Sequence, residues 1–375
     1  MDFELDQEQL LLRDTTRELL SRSYDPKKRR AVVDTELGWS PDVWGKLAEI
    51  GLLGLSFAEE DGGMGAGPVE TMAVMAEVGR RLAPEPILDC VLVPGGLIAE
   101  VGTPQQRKTV LSRVAEGAVL SAFAHNEPGL RWPAAAITTT AVQQGDSWSI
   151  SGTKNPVPHG DCADRFVVSA TLPNGGTGLF LVDATAAGLT RRSYRTHDGG
   201  RAAQLEFTDA AAEVLGDATD ASAHIERAII SAQAALCAEA VGAMEESLRL
   251  TTDYLRTRKQ FGVTLSKFQT LTQRAADMYV SLEAARSMAL YATACLADGR
   301  FDSTVASRAK LQIGRSGDHI GKEAVQMHGG IGMTAEYPVG HYFARLTAID
   351  QTFGAADDHL RVLSAAIADH AMVEL

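Results

Sequence analysis

The spacing of apolar residues changes twice along the chain, and no other feature constrains the fold as strongly. Up to about residue 115, apolar residues recur every three or four positions, as in amphipathic helices. From about residue 119, short runs rich in Val, Ile, Thr and aromatic residues alternate with Gly, Pro, Asn and Asp, as in strands and turns. From residue 222 the helical spacing returns. The sequence therefore predicts an α+β fold, with a helical domain over 1–118, a β domain over 119–220 and a helical domain over 221–375.

The last domain contains the longest helical segments. Helical spacing extends over 222–256, 265–297 and 303–327, and a final helix is predicted from Ala356 to Met372. Helices of this length favour an up-and-down bundle. The middle domain contains short strand-like runs throughout, which predicts an antiparallel sheet or a small barrel.

Composition narrows the classes of function. The 375 residues carry a formal net charge of −13, so long-range attraction to nucleic acid or to an anionic membrane is not expected. The four cysteines are far apart and form no CxxC pair, which indicates reduced thiols. The N-terminus is acidic where a secretory signal is basic, and no run of eighteen apolar residues occurs. We therefore expect a cytoplasmic protein that does not enter a membrane.

Basic residues gather in the segment 254–278. Arg256, Arg258 and Lys259 lie near the predicted end of one helix, and Gly262 separates it from the next. A guanidinium at this place can bind a pyrophosphate bidentately. The alternative is that these residues only complement the dipole of the helix C-terminus.

A glycine-rich segment follows a later helix. His328, Gly329, Gly330 and Gly332 lie where that helix ends. These glycines either bring backbone N–H groups close to a ligand or only stop the helix. Their order differs from GxGxxG and no strand precedes them, so a Rossmann site is not expected. The chain also has neither an HExxH nor a GxSxG sequence, so neither a metal site nor hydrolase chemistry is expected.

Several segments together resemble the acyl-CoA dehydrogenase family, over essentially the whole chain. They are Arg258-Lys259-Gln260-Phe261-Gly262, Phe268-Gln269, Ala276-Asp277-Met278 and Gln326-Met327-His328-Gly329-Gly330-Ile331-Gly332. The opening MDFELDQEQLLLRD, the loop GLLGLSFAEEDGGMG and AHNEP at 124–128 also resemble that family. Within it, LCAEAVGAMEE, RSGDHIGKEAVQ and RLTAIDQTFGAADDHL are most similar to the type called the small subunit of pimeloyl-CoA dehydrogenase.

This resemblance implies an N-terminal α-helical domain, a β-barrel-like middle domain and a C-terminal four-helix bundle. It implies bound FAD, with the isoalloxazine between the middle domain and the bundle. It implies a tetramer, either a homotetramer or an α2β2 heterotetramer, in which adjacent subunits complete each flavin site. An acyl-CoA substrate and an electron-transferring flavoprotein as electron acceptor are implied as well.

The resemblance also assigns cofactor contacts to individual positions. Arg258 and Phe261 match residues that hold the diphosphate and adenine half of FAD, and Gln326, Gly329 and Gly330 match a segment that reaches a neighbour's FAD. The implied cofactor-binding residues are Arg258, Phe261, Gln269, Gln326, Gly329, Gly330, Phe123, His125, Asn126 and His159.

Two departures from the family lie beside the expected flavin. Asn126 replaces a threonine in the flavin-facing turn. The segment from Asn155 to Gly160 replaces a WITNG-like strand, so tryptophan and threonine contacts to the flavin are missing. We expect bound FAD with altered contacts at its reactive edge. Pro156 and Pro158 suggest a reshaped pocket for a dicarboxylic, branched or ring-bearing acyl group, as in fatty acid or steroid degradation.

The implied reaction is α,β-dehydrogenation of an acyl-CoA thioester to the trans-2-enoyl-CoA, for which a carboxylate must remove the α proton. The family's usual base is the glutamate of a Q-x-Y-E-G-T stretch, and the aligned segment has Gly354 at that position. In a second arrangement of the family, the catalytic glutamate lies ten residues before a glycine of the long helix. Counted from Gly242, that position is Ala232. Neither position carries a carboxylate.

Other carboxylates lie near these two positions. Glu239 follows Ala232 by seven residues, on much the same helix face but about 10 Å further along the axis. It is either the catalytic base, with a pKa raised by its apolar surroundings, or a structural residue paired with a cation. Asp357 is a second candidate base. Like Asp358, it stands at the start of the final helix, where acids are favoured in any case.

Three hypotheses of function follow. The chain is an active FAD-dependent acyl-CoA dehydrogenase with Glu239 or Asp357 as a displaced base. Alternatively, it is a non-catalytic subunit of an α2β2 dehydrogenase whose sister chain supplies the base. The third hypothesis is an acyl-CoA-binding or structural subunit without redox chemistry.

Overall fold

The computed structural model describes residues 4–129, 132, 137–145 and 147–367. These residues pack into two compact units. Unit 1 comprises Met1–Arg30, Pro68–Ala83 and Gln233–Leu375, and unit 2 comprises Ala31–Gly67 and Pro84–Ala232.

The helices account for most of unit 1 and for the N-terminal part of unit 2. In chain order they are α1 (Gln7–Ser23), α2 (Pro26–Val33), α3 (Pro41–Glu49), α4 (Pro68–Arg81), α5 (Val93–Val101), α6 (Pro104–Ala115), α7 (Ser222–Thr257), α8 (Gln269–Ala297), α9 (Ser303–His328), α10 (Val339–Gln351) and α11 (Ala356–Ala365). A π-helical turn, Leu88–Leu92, precedes α5.

The strands form one large sheet in unit 2 and one small hairpin in unit 1. They are β1 (Ser121–Ala124), β2 (Thr140–Gln144), β3 (Ser147–Pro158), β4 (Arg165–Thr171), β5 (Thr177–Asp183), β6 (Leu189–Arg195), β7 (Arg201–Val214), β8 (Lys259–Gln260) and β9 (Val263–Thr264).

The large sheet closes on itself. Its strand order is β1-β4-β2-β3-β7-β5, and β5 also pairs with β4, which completes a ring, while β6 pairs with β7 outside it. Closure removes free edges from the ring strands. An apolar cluster that includes Phe166, Val168, Phe180 and Leu205 fills its core. The predicted β-barrel-like domain is therefore confirmed.

Two glycines allow α4 and α7 to cross at very short range in unit 1. A Cβ atom on Gly79 would lie 1.8 Å from the carbonyl oxygen of Glu239, and a Cβ on Gly242 would lie 1.8 Å from the carbonyl oxygen of Ala76. Any side chain at either position would therefore force the two backbones apart. The crossing buries the middle of α7, including Glu239, which is 3% exposed.

Helix α7 is long and apolar enough to cross a bilayer when judged by length and composition alone. However, 83% of its most apolar 18-residue window is buried within the protein. Such burial is typical of the central helix of a globular core.

The structure confirms the long C-terminal helices and adds one that the sequence pattern missed. Helix α10 was not predicted, because its segment opens after Pro338 with Gly340 and β-branched residues that give a weak helical pattern. The predicted final helix begins at Ala356, as observed. Residues 368–372 of that prediction, and the first three residues of the opening segment, lie outside the described residues.

Candidate active site

The predicted flavin-facing turn of unit 2 begins where β1 ends. The rings of Phe123 and His125 stack with centroids 5.2 Å apart and planes at 6°. His125 Nδ1 lies 2.9 Å from the hydroxyl oxygen of Ser169. Burial lowers the pKa of His125 to about 4, so its imidazole is neutral at pH 7. The backbone N–H of Asn155 donates to the carbonyl of Asn126 at 2.8 Å, which ties this turn to β3.

A buried ion pair lies directly behind that turn. Lys154, fully buried, donates from Nζ to Glu127 Oε1 at 2.9 Å and to the carbonyl of His125 at 3.0 Å. Glu127 also accepts hydrogen bonds from the backbone and hydroxyl groups of Thr138 and Thr139. Burial raises the pKa of Glu127, but these hydrogen bonds outweigh burial and lower it to about 2. The carboxylate is therefore charged, and the pair fixes the backbone of the turn.

His159 follows the end of β3 and has a left-handed backbone with φ of 49°. Its Nδ1 lies 2.9 Å from Asp89 Oδ2 in unit 2. Asp89 thereby holds the imidazole in one orientation, which leaves Nε2 for other partners. The carbonyl of the next residue, Gly160, accepts a hydrogen bond from Arg191. This end of β3 is therefore rigidly held.

In unit 1, a tight hairpin follows α7. Strands β8 and β9 are joined by Phe261 and Gly262, with φ of 52° and 83°, as in a type I′ turn. The turn leaves the Phe261 ring 92% exposed. Arg258, just before the hairpin, is exposed, and among the described residues its guanidinium has no side-chain partner. An exposed apolar ring and an exposed guanidinium three residues apart in one turn are suited to a dinucleotide.

The predicted residues at the end of α9 lie at the same end of the bundle as this hairpin. Tyr254 of α7 stacks on His328 of α9 with ring centroids 4.5 Å apart, and Arg258 follows Tyr254 by one helical turn. Gln326, Gly329 and Gly330 are exposed around His328. No atom lies within 4 Å of a Cβ placed on either glycine, so a ligand can approach the backbone closely. Gln269 is exposed at the first position of α8.

The turn between α10 and α11 contains Gly354, the position of the family's usual base. Gly354 is buried, with φ of 100°, and the neighbouring Phe353 has φ of 54°. The carbonyl oxygen of Phe353 accepts hydrogen bonds from Gln233 Nε2 at 2.9 Å and from His359 Nε2 at 3.2 Å. No side chain from Thr352 to Ala356 carries a carboxylate.

A fully buried lysine anchors the start of this turn. Lys310 of α9 donates to the carbonyl oxygens of Ile349 and Asp350, the latter at 3.2 Å. Burial lowers the pKa of Lys310 to about 8. The last carbonyls of α10 lack partners within the helix, so the ammonium acts as a buried cap. The turn with Gly354 is thereby fixed at both ends.

Glu239, a candidate base, forms an ion pair across the bundle. Arg345 of α10 donates from Nε to Glu239 Oε1 at 2.6 Å and from a terminal amino group to Oε2 at 3.0 Å. Because both carboxylate oxygens are engaged bidentately, the geometry favours the pairing role that the sequence also allowed. The role of Glu239 as base stays a prediction.

The two acids at the start of α11 differ in their surroundings. Asp357 is exposed in the first turn of the helix. Asp358 Oδ2 accepts a hydrogen bond from the backbone N–H of Ala355 at 3.2 Å, and its Oδ1 accepts one from Arg361. Asp358 therefore caps the helix, whereas Asp357 faces water.

Comparison with known proteins gives matches over nearly the whole chain. Profiles of the acyl-CoA dehydrogenase N-terminal, middle and C-terminal domains match residues 6–118, 122–210 and 223–368. The mitochondrial short-chain specific acyl-CoA dehydrogenase of Bos taurus is 30% identical, over 92% of this chain and 87% of its own. The chain belongs to the acyl-CoA dehydrogenase family. The predicted class of enzyme, a family of FAD-binding oxidoreductases, is therefore confirmed.

Two solved structures extend this comparison. A variant of the Tcur3481–Tcur3483 steroid ACAD is 34% identical, with a TM-score of 0.89 over 97% of this chain and 98% of that chain. The ChsE4–ChsE5 complex from Mycobacterium tuberculosis is 26% identical, with a TM-score of 0.91 over 99% of this chain and 100% of that chain.

The residues of this acyl-CoA dehydrogenase fit an FAD cofactor in part. In unit 1, the exposed Arg258 and Phe261 and the open backbone at Gly329 and Gly330 suit a diphosphate and an adenine ring. In unit 2, the backbone around His125 is preorganised by Lys154, but Pro158 offers neither a hydroxyl nor an N–H donor. Among the described residues, unit 1 therefore has groups that suit the dinucleotide, whereas Pro158 provides no donor to the flavin edge.

Unit 1 separates the predicted site residues into two distant places. Gln233, which holds the turn with Gly354, and Thr257, at the hairpin, lie 24 residues apart on α7, a distance of roughly 36 Å. One group of predicted cofactor residues lies near the C-terminal end of α7: Arg258, Phe261, Gln326, Gly329 and Gly330. Glu239, Gly354 and Asp357 do not lie there.

Sequence patterns missed the residues that hold these places together. They are Lys154, Glu127, Lys310, Gln233, Arg345 and His359. Gln233 lies inside an apolar segment, ISAQAALC, and this is a local signal of a buried polar contact. Its partner Phe353 is 120 residues away, and Arg345 is 106 residues from Glu239, so these contacts are not visible in the sequence. Within the described residues, no group of three His, Cys, Asp or Glu side chains is placed to hold a metal ion.

Proposed function

We propose that this chain is one subunit of a heteromeric FAD-dependent acyl-CoA dehydrogenase, in which a related subunit supplies the catalytic base. The observation that carries the proposal is the turn between α10 and α11. It is fixed by Gln233, Lys310 and His359, yet it presents Phe353 and Gly354 where the family has its glutamate. A turn that is held this firmly without a base is suited to a structural or binding task.

The remaining carboxylates of unit 1 support the same conclusion. Both oxygens of Glu239 are bound by Arg345, so proton abstraction would require breaking a buried bidentate ion pair. Asp358 is engaged in capping α11. Asp357 is exposed to water. A carboxylate in water is too weak a base to remove the α proton of a thioester, which is itself a very weak acid.

The cofactor residues support an oligomer with shared flavin sites. The place with Arg258 and Phe261 is about 36 Å along α7 from the turn with Gly354, so the two are suited to different copies of FAD. Phe261, with 92% of its surface exposed, is well placed to be covered by a ligand or a neighbouring subunit. FAD, when bound, accepts the β hydrogen of the substrate as hydride. This chain contributes the guanidinium of Arg258, the amide of Gln326 and the open backbone at Gly329 to its binding.

The relatives favour a two-component assembly and a bulky substrate. Tcur3481–Tcur3483 and ChsE4–ChsE5 each carry the names of two proteins, and the former is called a steroid ACAD. By this similarity we propose a ring-bearing acyl-CoA as substrate and an electron-transferring flavoprotein as electron acceptor. The similarity to the pimeloyl-CoA dehydrogenase small subunit and the cytoplasmic location stay predictions.

Co-expression tests the proposal. The chain is purified alone and together with a related acyl-CoA dehydrogenase subunit, and flavin absorption is recorded before and after acyl-CoA addition. We expect bleaching of the flavin band only for the co-purified pair. Bleaching by acyl-CoA of the chain purified alone with FAD would overturn the proposal and favour the active-enzyme hypothesis.

A matched pair of variants then locates the base. In the complex, Glu239→Gln keeps the shape of the side chain but removes its charge, and Asp357→Asn does the same at the start of α11. We expect both variants to bleach the flavin at the parent rate once assembly is confirmed by size-exclusion chromatography. A loss of at least a hundredfold in the reduction rate with intact assembly would assign the base to this chain.

A further inference from the structure

Unit 1 contains a cavity that the dehydrogenase site does not use. It has a volume of about 250 Å³ and opens where the end of α1, α2, the end of α4, the C-terminal third of α7 and the start of α10 meet. Its walls are formed by Tyr24, Asp25, Pro26, Arg29, Arg81, Leu82, Glu246, Arg249, Leu250, Pro338, His341 and Tyr342. None of these residues was assigned a function above.

Three guanidinium groups line this cavity against two carboxylates. One pair is already complete, because Arg249 binds both oxygens of Glu246 at 2.6 and 2.8 Å. The other acid, Asp25, accepts a hydrogen bond from the backbone N–H of Lys28 at 2.8 Å and so caps α2. The walls therefore carry one more positive than negative charge, from three arginines and two carboxylates.

Arg81 leaves most of its hydrogen-bonding capacity for a ligand. In the described part of the chain its guanidinium makes one hydrogen bond, from Nε to the hydroxyl of Ser21 at 3.1 Å. Both terminal amino groups therefore remain as a planar fork, the geometry that matches a carboxylate or a phosphate. Arg29 is held in place because its Nε donates to the carbonyl oxygen of Leu82 at 2.6 Å.

The backbone around this fork is shaped by an unusual residue. Leu82 adopts φ of 48° where α4 ends, so the chain turns away directly after Arg81. The hydroxyl of Tyr342 donates to the carbonyl of Arg80 at 2.6 Å, which fixes the last turn of α4 against α10. The fork is therefore preorganised rather than carried on a mobile loop.

We propose that this cavity binds a small organic anion whose carboxylate or phosphate group is held by Arg81 and Arg29. Leu82, Leu250 and Pro338 provide an apolar wall for the rest of the ligand. The volume lies below the roughly 300–1,000 Å³ of pockets for drug-sized ligands, so the anion is a small metabolite and not a CoA thioester. The overall charge of −13 makes general anion attraction unfavourable, so binding depends on these local groups.

Ligand-dependent stability tests this proposal. The full chain, in the complex where one forms, is unfolded thermally in rising concentrations of inorganic phosphate, of acetate and of chloride at matched ionic strength. A ligand that binds only the folded state raises stability as a logarithm of its concentration above Kd. We expect a saturable rise with phosphate or acetate and none with chloride. The anion with the larger rise identifies the head group.

Three variants separate the effect of the Arg81 fork from that of the net charge. Arg81→Gln removes the fork, and we expect the apparent Kd for the better anion to rise at least tenfold. Arg22→Gln, at a residue with 79% of its side chain exposed, removes the same charge outside the cavity and should leave Kd unchanged. Arg81→Lys, which keeps the charge without the fork, should give an intermediate Kd and replaces the first variant if that one fails to fold. A rise that is equal for all three salts, or a Kd that is unchanged in both Arg81 variants, overturns the proposal.

Discussion

Two fully buried lysines, Lys154 in unit 2 and Lys310 in unit 1, provide a comparison within one molecule. Burial lowers the pKa of each to about 8, and each donates hydrogen bonds to the main chain of a predicted functional segment. They differ in their counter-charge. Lys154 has the Glu127 carboxylate at 2.9 Å, whereas in the described part of the chain Lys310 donates to the carbonyls of Ile349 and Asp350 and bonds to no carboxylate.

This difference shows that a buried ammonium can be stabilised in two ways. In unit 2 a full negative charge faces it, and that charge is itself fixed by Thr138 and Thr139. In unit 1 the partial charges at the C-terminus of α10 take the place of a bonded carboxylate, and the Asp350 carboxylate lies near Lys310 without bonding to it. Removing Lys154 therefore leaves a buried carboxylate without its bonded cation, while removing Lys310 leaves two carbonyls without a donor and a partly buried Asp350 without a nearby positive charge. The two lysines should respond differently to the same substitution.

The largest effect is expected for Lys154→Met. A buried Glu127 without its cation should cost about 3–5 kcal/mol of the free energy of unfolding. Urea denaturation measures this change, and Lys154→Met combined with Glu127→Gln should recover part of it because no charge remains buried. A single variant as stable as the parent would contradict the assigned ion pair.

Acid should destabilise both regions through buried histidines. Burial lowers the pKa of His125 in unit 2 and of His359 in unit 1 to about 4, from an ordinary value of about 6.5. Since the unfolded chain takes up these protons first, stability present above pH 6.5 is lost as the pH falls towards 4. The expected loss is about 2–3 kcal/mol for each residue.

Single His→Gln variants at these two positions show which region contributes more. Each variant should have a flatter stability profile between pH 6.5 and 4.5 than the parent in urea denaturation. Glu127, whose pKa is low in the folded state, adds a small loss near pH 4.5, but the parent and both variants share it, so it largely cancels in the comparison. Parallel profiles for the parent and both variants would show that neither histidine is buried in its neutral form.

A smaller effect is expected for Lys310→Met. Two carbonyls lose a donor, but the cost of burying an ammonium disappears, so we expect a loss of about 1–2 kcal/mol. Urea denaturation alongside Lys154→Met gives the direct comparison. An equal loss for the two variants would refute the distinction between a bonded carboxylate and a helix end as the main partner of a buried lysine.

The smallest effect is expected at alkaline pH, where the parent should gain stability relative to Lys310→Met. Folded Lys310 loses its proton near pH 8 and the unfolded lysine near 10.5, so the unfolded state binds more protons in this window. The stability of the parent relative to the variant should therefore rise with pH, by about 1 kcal/mol from pH 8 to 9. A constant difference between the two proteins would show that Lys310 stays charged in this range.

Prediction from sequence succeeded where the signal is local. The change of apolar spacing predicted the helical and β regions, and Gly262 predicted the break between two helices, where the structure has the hairpin of β8 and β9. It failed where the signal depends on contacts between distant segments. Helix α10 was missed because its own residues form helix weakly, and packing against α9 decides the outcome.

The candidate site shows the same division. The absence of a carboxylate at Gly354 is visible in the sequence, because it depends on one residue. That Glu239 is bound by Arg345, 106 residues away, is not visible, because the chain must first fold α10 against α7. A buried carboxylate in an apolar helix is ambiguous until its partner is known.

The sequence by itself determined the order of helices and strands, the family and the missing base, since these depend on residue type and on spacing along the chain. Only the tertiary structure decided which buried charges meet, how the turn with Gly354 is held and where a cavity with an unoccupied arginine fork remains. The physical reason is distance: hydrophobic periodicity acts within one element, whereas ion pairs, caps and cavities arise between residues that folding brings together.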